Sequence, residues 1–216
     1  MKPPFSHPMM PQAEHDECAR EHFVVDLKIY MEEDVYPVDA AVYEKKALPQ
    51  FKKEHGRAPE NHHEVRKLME REPSTQLWSA IARTIQEMLW DGTGNTVERQ
   101  LPDLISRAKI AEPLGTLTLD PALKAPRYNG EIDIHRMPGN YHTVRAENDA
   151  SQGALYDRGR FVYNGGAAGP LADGLPRTLA AYIKKRWPDF RPKKILELGC
   201  TIGSSTVPVL ETAKSR

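Results

Sequence analysis

The chain has little cysteine. Cys18 and Cys200 are its only two in 216 residues. So wide a separation makes no disulfide framework and no cysteine-based metal motif. Reduced thiols fit a cytoplasmic protein. Long apolar runs are also missing: no stretch approaches the roughly 20 residues that a membrane-spanning helix needs. The opening MKPPFSHPMMPQ lacks the continuous apolar core of a secretory leader. Charge of one sign is absent too, with 30 basic and 30 acidic side chains and a formal net charge of zero. That removes the basic footprint a nucleic-acid partner requires and the imbalance typical of a disordered chain. Aromatics make up 7 % of the residues. Trp78 and Trp90, twelve positions apart on one expected helix, read as core residues rather than base-stacking platforms. Neither membrane nor nucleic acid is an expected partner.

What the chain does have is 39 % hydrophobic residues, enough for a modest core, arranged mainly at helical spacing. Residues 1–20 carry four prolines without periodicity and read as a flexible arm. Residues 21–111 read as a helical cap region. Phe23, Val24, Leu27 and Met31 form a first stripe, and Pro37 is expected to interrupt it. A second helix is expected to be disturbed at Pro49 and to stop near Gly56. Leu77, Trp78, Ile81, Ile85, Met88 and Leu89 mark the clearest helix, with Ser74 or Thr75 as cap and Gly92 as stop. Asn95 and Glu98 then suggest a capping box for a further helix, kinked or split at Pro102. Residues 112–175 turn irregular, with strand or extended-loop candidates in TLTL (116–119), IDIH (132–135) and RFVY (160–163). Pro176 opens a helix with Leu175, Leu179, Ile183 and Trp187 four apart.

The stretch KKILELGCTIGSST, residues 193–206, carries the most chemical information. A short apolar strand meets Gly199, and a helix is expected after Gly203. Such a junction gathers backbone N–H groups at an electropositive helix start. Glu197 lies two residues before Gly199. In a dinucleotide site its carboxylate would sit beneath a pyrophosphate, an unfavourable contact that counts against a nicotinamide enzyme. A ligand with positive centres would be attracted.

These residues resemble the first motif of class I S-adenosylmethionine-dependent methyltransferases: an apolar strand, an acidic residue, an apolar residue, then Gly-x-Gly-x-Gly. ILELGCTIGSST follows it with Glu197, Gly199 and Gly203, and departs at Thr201, where the middle glycine is usual. A small residue is tolerated there if φ stays negative. The resemblance extends upstream, more weakly, over about 40 to 50 residues that include GRFVYNGG and the helix after Pro176. It implies that the backbone of Gly199, Cys200, Thr201 and Gly203 faces the methionine end of S-adenosylmethionine, while Glu197 meets its ammonium group. It also implies methyl transfer by in-line displacement to an acceptor, expected to be a small molecule. No nucleophilic role is expected of Cys200, because nothing near it in sequence lowers its pKa.

The implied fold is mixed α/β: a mostly helical N-terminal part, then only the first βα unit of a Rossmann-like methyltransferase sheet, incomplete over residues 176–216. Thirteen residues follow Gly203, enough for one helix and no second strand. The chain is therefore expected to be the N-terminal portion of a longer enzyme, to bind the cofactor weakly or not at all alone, and to be inactive by itself. A free strand over residues 194–198 would favour self-association or pairing with a complementing chain. The alternative is a non-catalytic interaction protein that keeps a degenerate motif and binds a partner through its helical half.

Eight histidines raise the question of a metal. His62 and His63 are adjacent and diverge on a helix, and the pairs His55/His62 and His15/His22 are seven apart, so no metal site is expected. His135 and His142 are candidate bases toward an acceptor hydroxyl in an intact enzyme, since imidazole titrates near neutrality. The catalytic base is otherwise unassigned.

Overall fold

The computed structural model describes residues 7–109, 112, 115–124, 126–127, 135–137, 140, 143–169 and 171–214. Helices α1 (His15–Tyr30), α2 (Tyr36–Val42) and α3 (Leu48–His55) form one uninterrupted helical run, linked by π-helical turns at Met31–Val35 and Tyr43–Ala47. The prolines explain those turns. Pro37 and Pro49 have no N–H to give the preceding turn, and the backbone widens just before each. Tyr36 N–H closes onto Met31 O, and Leu48 N–H onto Tyr43 O, five residues back in both cases. The expected interruptions at Pro37 and Pro49 are thus absorbed without ending the helix. Gly56, at φ +69°, supplies the left-handed stop.

Helix α4 (His62–Met69) is capped by Asn61, whose Oδ1 accepts from the N–H groups of His63 at 3.0 Å and Glu64 at 3.1 Å. Helix α5 runs unbroken for 27 residues, Pro73–Arg99. Gly92 does not close it and Asn95 does not cap a new one. Gly92, Thr93, Thr96 and Val97 are all buried, and burial of this face holds the helix through its weak glycine. The break comes at Gln100, after which α6 (Leu101–Ala108) starts with Pro102 in its first turn, where no N–H is missed. Ser74 and Thr75 do not cap α5. Their hydroxyls donate to Asp39 Oδ1 at 2.7 and 2.6 Å.

The later elements are α7 (Ser151–Tyr163), α8 (Gly174–Arg186) and α9 (Thr206–Lys214). The RFVY stretch lies inside α7, so it is helix and not strand. TLTL is exposed and outside any helix or strand. Most of IDIH lies outside the described residues. Among the described residues there is no strand at all, which overturns the mixed α/β reading and its first βα unit. Residues 193–198 have strand composition, but a strand also needs a neighbour for its N–H and C=O groups, and none of the described residues pairs with them. Only the helical half of that expected unit, α9, is present.

Two compact units emerge: residues 7–22 with the described residues from 89 on, and residues 23–88. The smaller unit packs Val24, Val35, Phe51, Met69 and Ile85. It carries a forked ion pair of Arg57 on Glu64, with both contacts at 2.8 Å.

The larger unit is built around α7. Leu155, Phe161 and Val162 are buried with Trp90, Val97 and Leu104. A Cβ added at Gly159 would lie 2.2 Å from Trp90 Cζ3, so the indole rests directly on the α7 backbone. Its N–H donates to His135 O. Beside it, Arg158 forks onto Glu21 at 2.7 and 2.5 Å, each side chain 1 % exposed. Burying two charges is costly, and the parallel hydrogen bonds offset much of that cost.

Candidate functional site

The residues after the apolar run fold into a tight turn. Gly203 N–H donates to Cys200 O at 2.8 Å, closing residues 200–203. Gly199, Thr201 and Gly203 all take positive φ, at +68°, +50° and +78°. Glycine adopts that region freely, but a β-branched residue does not. The negative φ that would make Thr201 harmless is not what the turn uses. Threonine is strained where the resembled motif places glycine.

Helix α9 follows directly. Thr206, its first residue, donates its hydroxyl proton to Glu197 Oε2. The Glu197 carboxylate thus lies at the helix start, where the dipole favours a negative charge. Arg160, on α7, holds the turn from the other side. Its Nη1 donates to Ser204 Oγ at 2.7 Å and its Nη2 to Ala172 O at 3.1 Å.

Within this unit a cavity of about 510 Å³ opens beside the turn. Ile202, Gly203 and Ser204 form one wall, with Val207 and Pro208 of α9 next to them. The start of α7 and the segment through His7 and Met9 form others. Three carboxylates border it, those of Asp149, Asp157 and Asp173, and His7 is its one basic lining residue among those described. The size is within the ordinary range for a small-molecule site.

The carboxylates are not equivalent. Burial pushes the Asp157 carboxyl up, against the opposing pull of His7. His7 Nε2 lies 2.7 Å from Asp157 Oδ2. Met9 N–H donates to His7 Nδ1 at 3.2 Å, so the neutral ring carries its proton on Nε2 and donates it to Asp157. Burial also acts to raise Asp149, but the amide N–H groups of Arg145 and Ser151 outweigh it and hold that carboxyl below its usual range. Asp173 accepts from Arg177 Nε at 2.7 Å, and Arg177 reaches on to Glu211 at 3.2 Å.

Of the five residues singled out from sequence, Gly203 borders the cavity. Glu197 is half-buried against Thr206, while Gly199, Cys200 and Thr201 are exposed. No atom lies within 4 Å of where a Gly199 Cβ would be, so the main chain there is open to approach. His135 contributes its carbonyl to Trp90, and His142 lies outside the described residues.

Sequence reasoning missed His7, Asp149, Asp157 and Asp173. Three of them could have been suspected from reading residues 151–163 as a helix. Asp149 precedes its first turn, Asp157 then takes a fixed place on it, and Asp173 stands just before the next helix. His7 sits in a stretch with no periodicity, and only its fold-back to α7 reveals it.

Among the described residues no group of three or more His, Cys, Asp or Glu side chains could hold a metal ion, and no helix is long and apolar enough to cross a membrane. Compared with protein-family models, curated proteins and solved structures, the chain matches none.

Proposed function

We propose that the chain carries the donor-binding turn of an S-adenosylmethionine-dependent methyl transfer to a small-molecule acceptor, in the cytoplasm. One observation carries the reading: Glu197 is fixed to the first residue of α9, beside a turn whose glycines leave the backbone open. A carboxylate so placed repels phosphate and suits an ammonium or sulfonium centre. The donor set of the neighbouring cavity agrees, with three carboxylates and no lysine or arginine among its described lining residues. S-adenosylmethionine, when bound, supplies the activated methyl group. Glu197 would hold the ammonium end, Gly199 and Gly203 would let the main chain come close, and the cavity would keep water from the acceptor. Cys200 adds a small exposed residue to the turn and needs no thiolate chemistry.

The test is a titration of isotope-labelled protein with S-adenosylmethionine, followed by amide chemical shifts. Weak binding is expected, with shifts centred on the amides of Gly199, Cys200 and Gly203. Glu197→Gln should weaken it roughly two- to fivefold, the worth of one partly exposed ion pair. No shift up to the solubility limit of the ligand, or equal affinity in the variant, would reject the reading.

A second reading, an interaction protein without catalysis, is favoured by a different observation. Leu175, Leu179, Tyr182, Trp187, Leu196 and Leu198 are all exposed in the same unit. So much uncovered apolar surface over 24 residues is unusual for a protein that works alone.

A further inference from the structure

Among the described residues, the backbone of residues 193–198 finds no hydrogen-bond partner: Lys193, Lys194, Ile195, Leu196, Glu197 and Leu198 form no backbone bond there, and the segment lies outside every described helix and hydrogen-bonded turn. Its apolar side chains are uncovered as well: Ile195 is 47 % exposed, and Leu196 and Leu198 are each 85 % exposed. They alternate in sequence, so in an extended chain Ile195 falls on one face and Leu196 and Leu198 on the other. A lipid surface could cover only one of those faces. A second strand alongside would extend both faces at once and satisfy the main-chain groups along one edge.

The side chains suggest which strand. We infer that residues 193–197 pair in antiparallel fashion with the same residues of a second copy of this chain. In the register centred on Ile195, Lys193 falls opposite Glu197 of the partner subunit, and Glu197 opposite the partner subunit's Lys193. Ile195 faces its own counterpart between these two ion pairs, and Lys194 lies opposite the partner's Leu196. The centre falls on a residue, so the register obeys a two-fold axis normal to the ribbon, which closes the assembly at two copies. Opposite charges set directly across an antiparallel pair stabilise it, and like charges destabilise it. Among the described residues neither charge has an ion-pair partner: Lys193 makes none, and Glu197 accepts only the Thr206 hydroxyl. Pro192, lacking an N–H, stands just before the paired segment, where it costs no ladder bond. The zero net charge of the whole chain leaves no general repulsion between copies.

This inference rests on the second reading above and names its partner. Glu197 cannot serve the cross-strand pair and a ligand ammonium fully at once, so S-adenosylmethionine, if it binds, should weaken the dimer.

The test is sedimentation equilibrium on the intact chain across a wide concentration range. A monomer–dimer equilibrium is expected. Lys193→Glu should raise the dimer dissociation constant at least tenfold, by setting Glu against Glu twice. Combining Lys193→Glu with Glu197→Lys should return it to near the wild-type value, which a merely misfolded variant would not do. Ile195→Pro and Leu196→Pro made together, which delete a ladder donor whichever alternate N–H groups face the partner, should give a monomer with unchanged thermal unfolding. A dimer indifferent to these changes would overturn the pairing while leaving the interaction reading standing. A monomer at every concentration would overturn both, and a monomer that co-sediments with phosphatidylserine vesicles would assign the exposed stretch to lipid instead.

Discussion

Helix α7 and the segment 193–198 belong to the same unit, and their burial runs opposite to their composition. SQGALYDRGRFVY contains an aspartate, two arginines and a glutamine, yet eight of its residues are buried, Asp157 and Arg158 among them. KKILEL is the more apolar stretch, and its leucines stand in solvent. Burial is therefore set by partners and not by hydropathy. The α7 backbone satisfies itself, and its Arg158 and Asp157 side chains meet Glu21 and His7 at hydrogen-bond distance. The residues of KKILEL need another strand for the main chain and two surfaces for the side chains, and the described residues provide neither. Helix α8 shows the same lesson at smaller scale. The stripe of Leu175, Leu179 and Trp187 that reads as its core face is exposed, while Pro176 and Ala180 are buried.

The contrast is easiest to break at the buried ion pair. Arg158→Ala leaves Glu21 charged and enclosed, and should cost about 3–5 kcal/mol in urea unfolding. Replacing both partners by leucine and methionine should recover most of that loss. If Arg158→Ala unfolds within experimental error of wild type, the interior of this unit is wetter than its packing implies.

Gly159→Ala comes next. Its Cβ cannot coexist with the Trp90 ring as placed, and the forced shift should cost about 1–3 kcal/mol, with a change in the near-ultraviolet tryptophan signal. Unchanged stability would mean that Trp90 does not rest on α7.

Thr201→Gly sharpens the comparison from the exposed side. Relief of a left-handed residue is worth about 1–2 kcal/mol, and the added freedom of unfolded glycine takes back about 0.5–1 kcal/mol. A net gain of about 0.5–1 kcal/mol in the larger unit is expected. Destabilisation would show that Thr201 does not hold positive φ.

The smallest effect is one of pH. Glu64 is pulled down to about 2 by Arg57 and by the Glu60 amide. Its contribution is complete above its ordinary value of 4.5 and is lost as pH falls toward about 2. Asp157 runs the other way, because burial raises it: the folded state keeps a proton that the unfolded chain has released. Its contribution therefore declines as pH rises from its ordinary value of 3.8 toward its folded value. The stability of Asp157→Asn, measured against wild type, should improve across that interval. A difference that stays flat with pH would remove burial as the cause.

Some of this was legible in residues and some was not. The Gly56 stop lay in the chain as a glycine after an apolar stripe. The turn at Gly199 and Gly203 was equally visible. The passage of the helix through Pro37 and Pro49 was not, because a π turn shows no signature beyond the proline it accommodates. Reading Gly92 as a stop failed for a related reason: a glycine ends a helix only when no burial holds the next turn, and Thr93, Thr96 and Val97 hold it. The cavity acids stayed hidden because residues 160–163 read as a strand, which put Asp157 on no recognisable face.

The sequence by itself determined a few local objects: the helix stop at Gly56, the backbone turn at Gly199 and Gly203, and that a carboxylate stands two residues before that turn. Those depend on bonds between residues a few positions apart. Only the tertiary structure decided which faces are covered, that Trp90 meets Gly159, that Arg158 meets Glu21, and that KILEL forms no strand. Each of those needs a partner far along the chain or outside it, and the identity of such a partner is not written in the residues that await it.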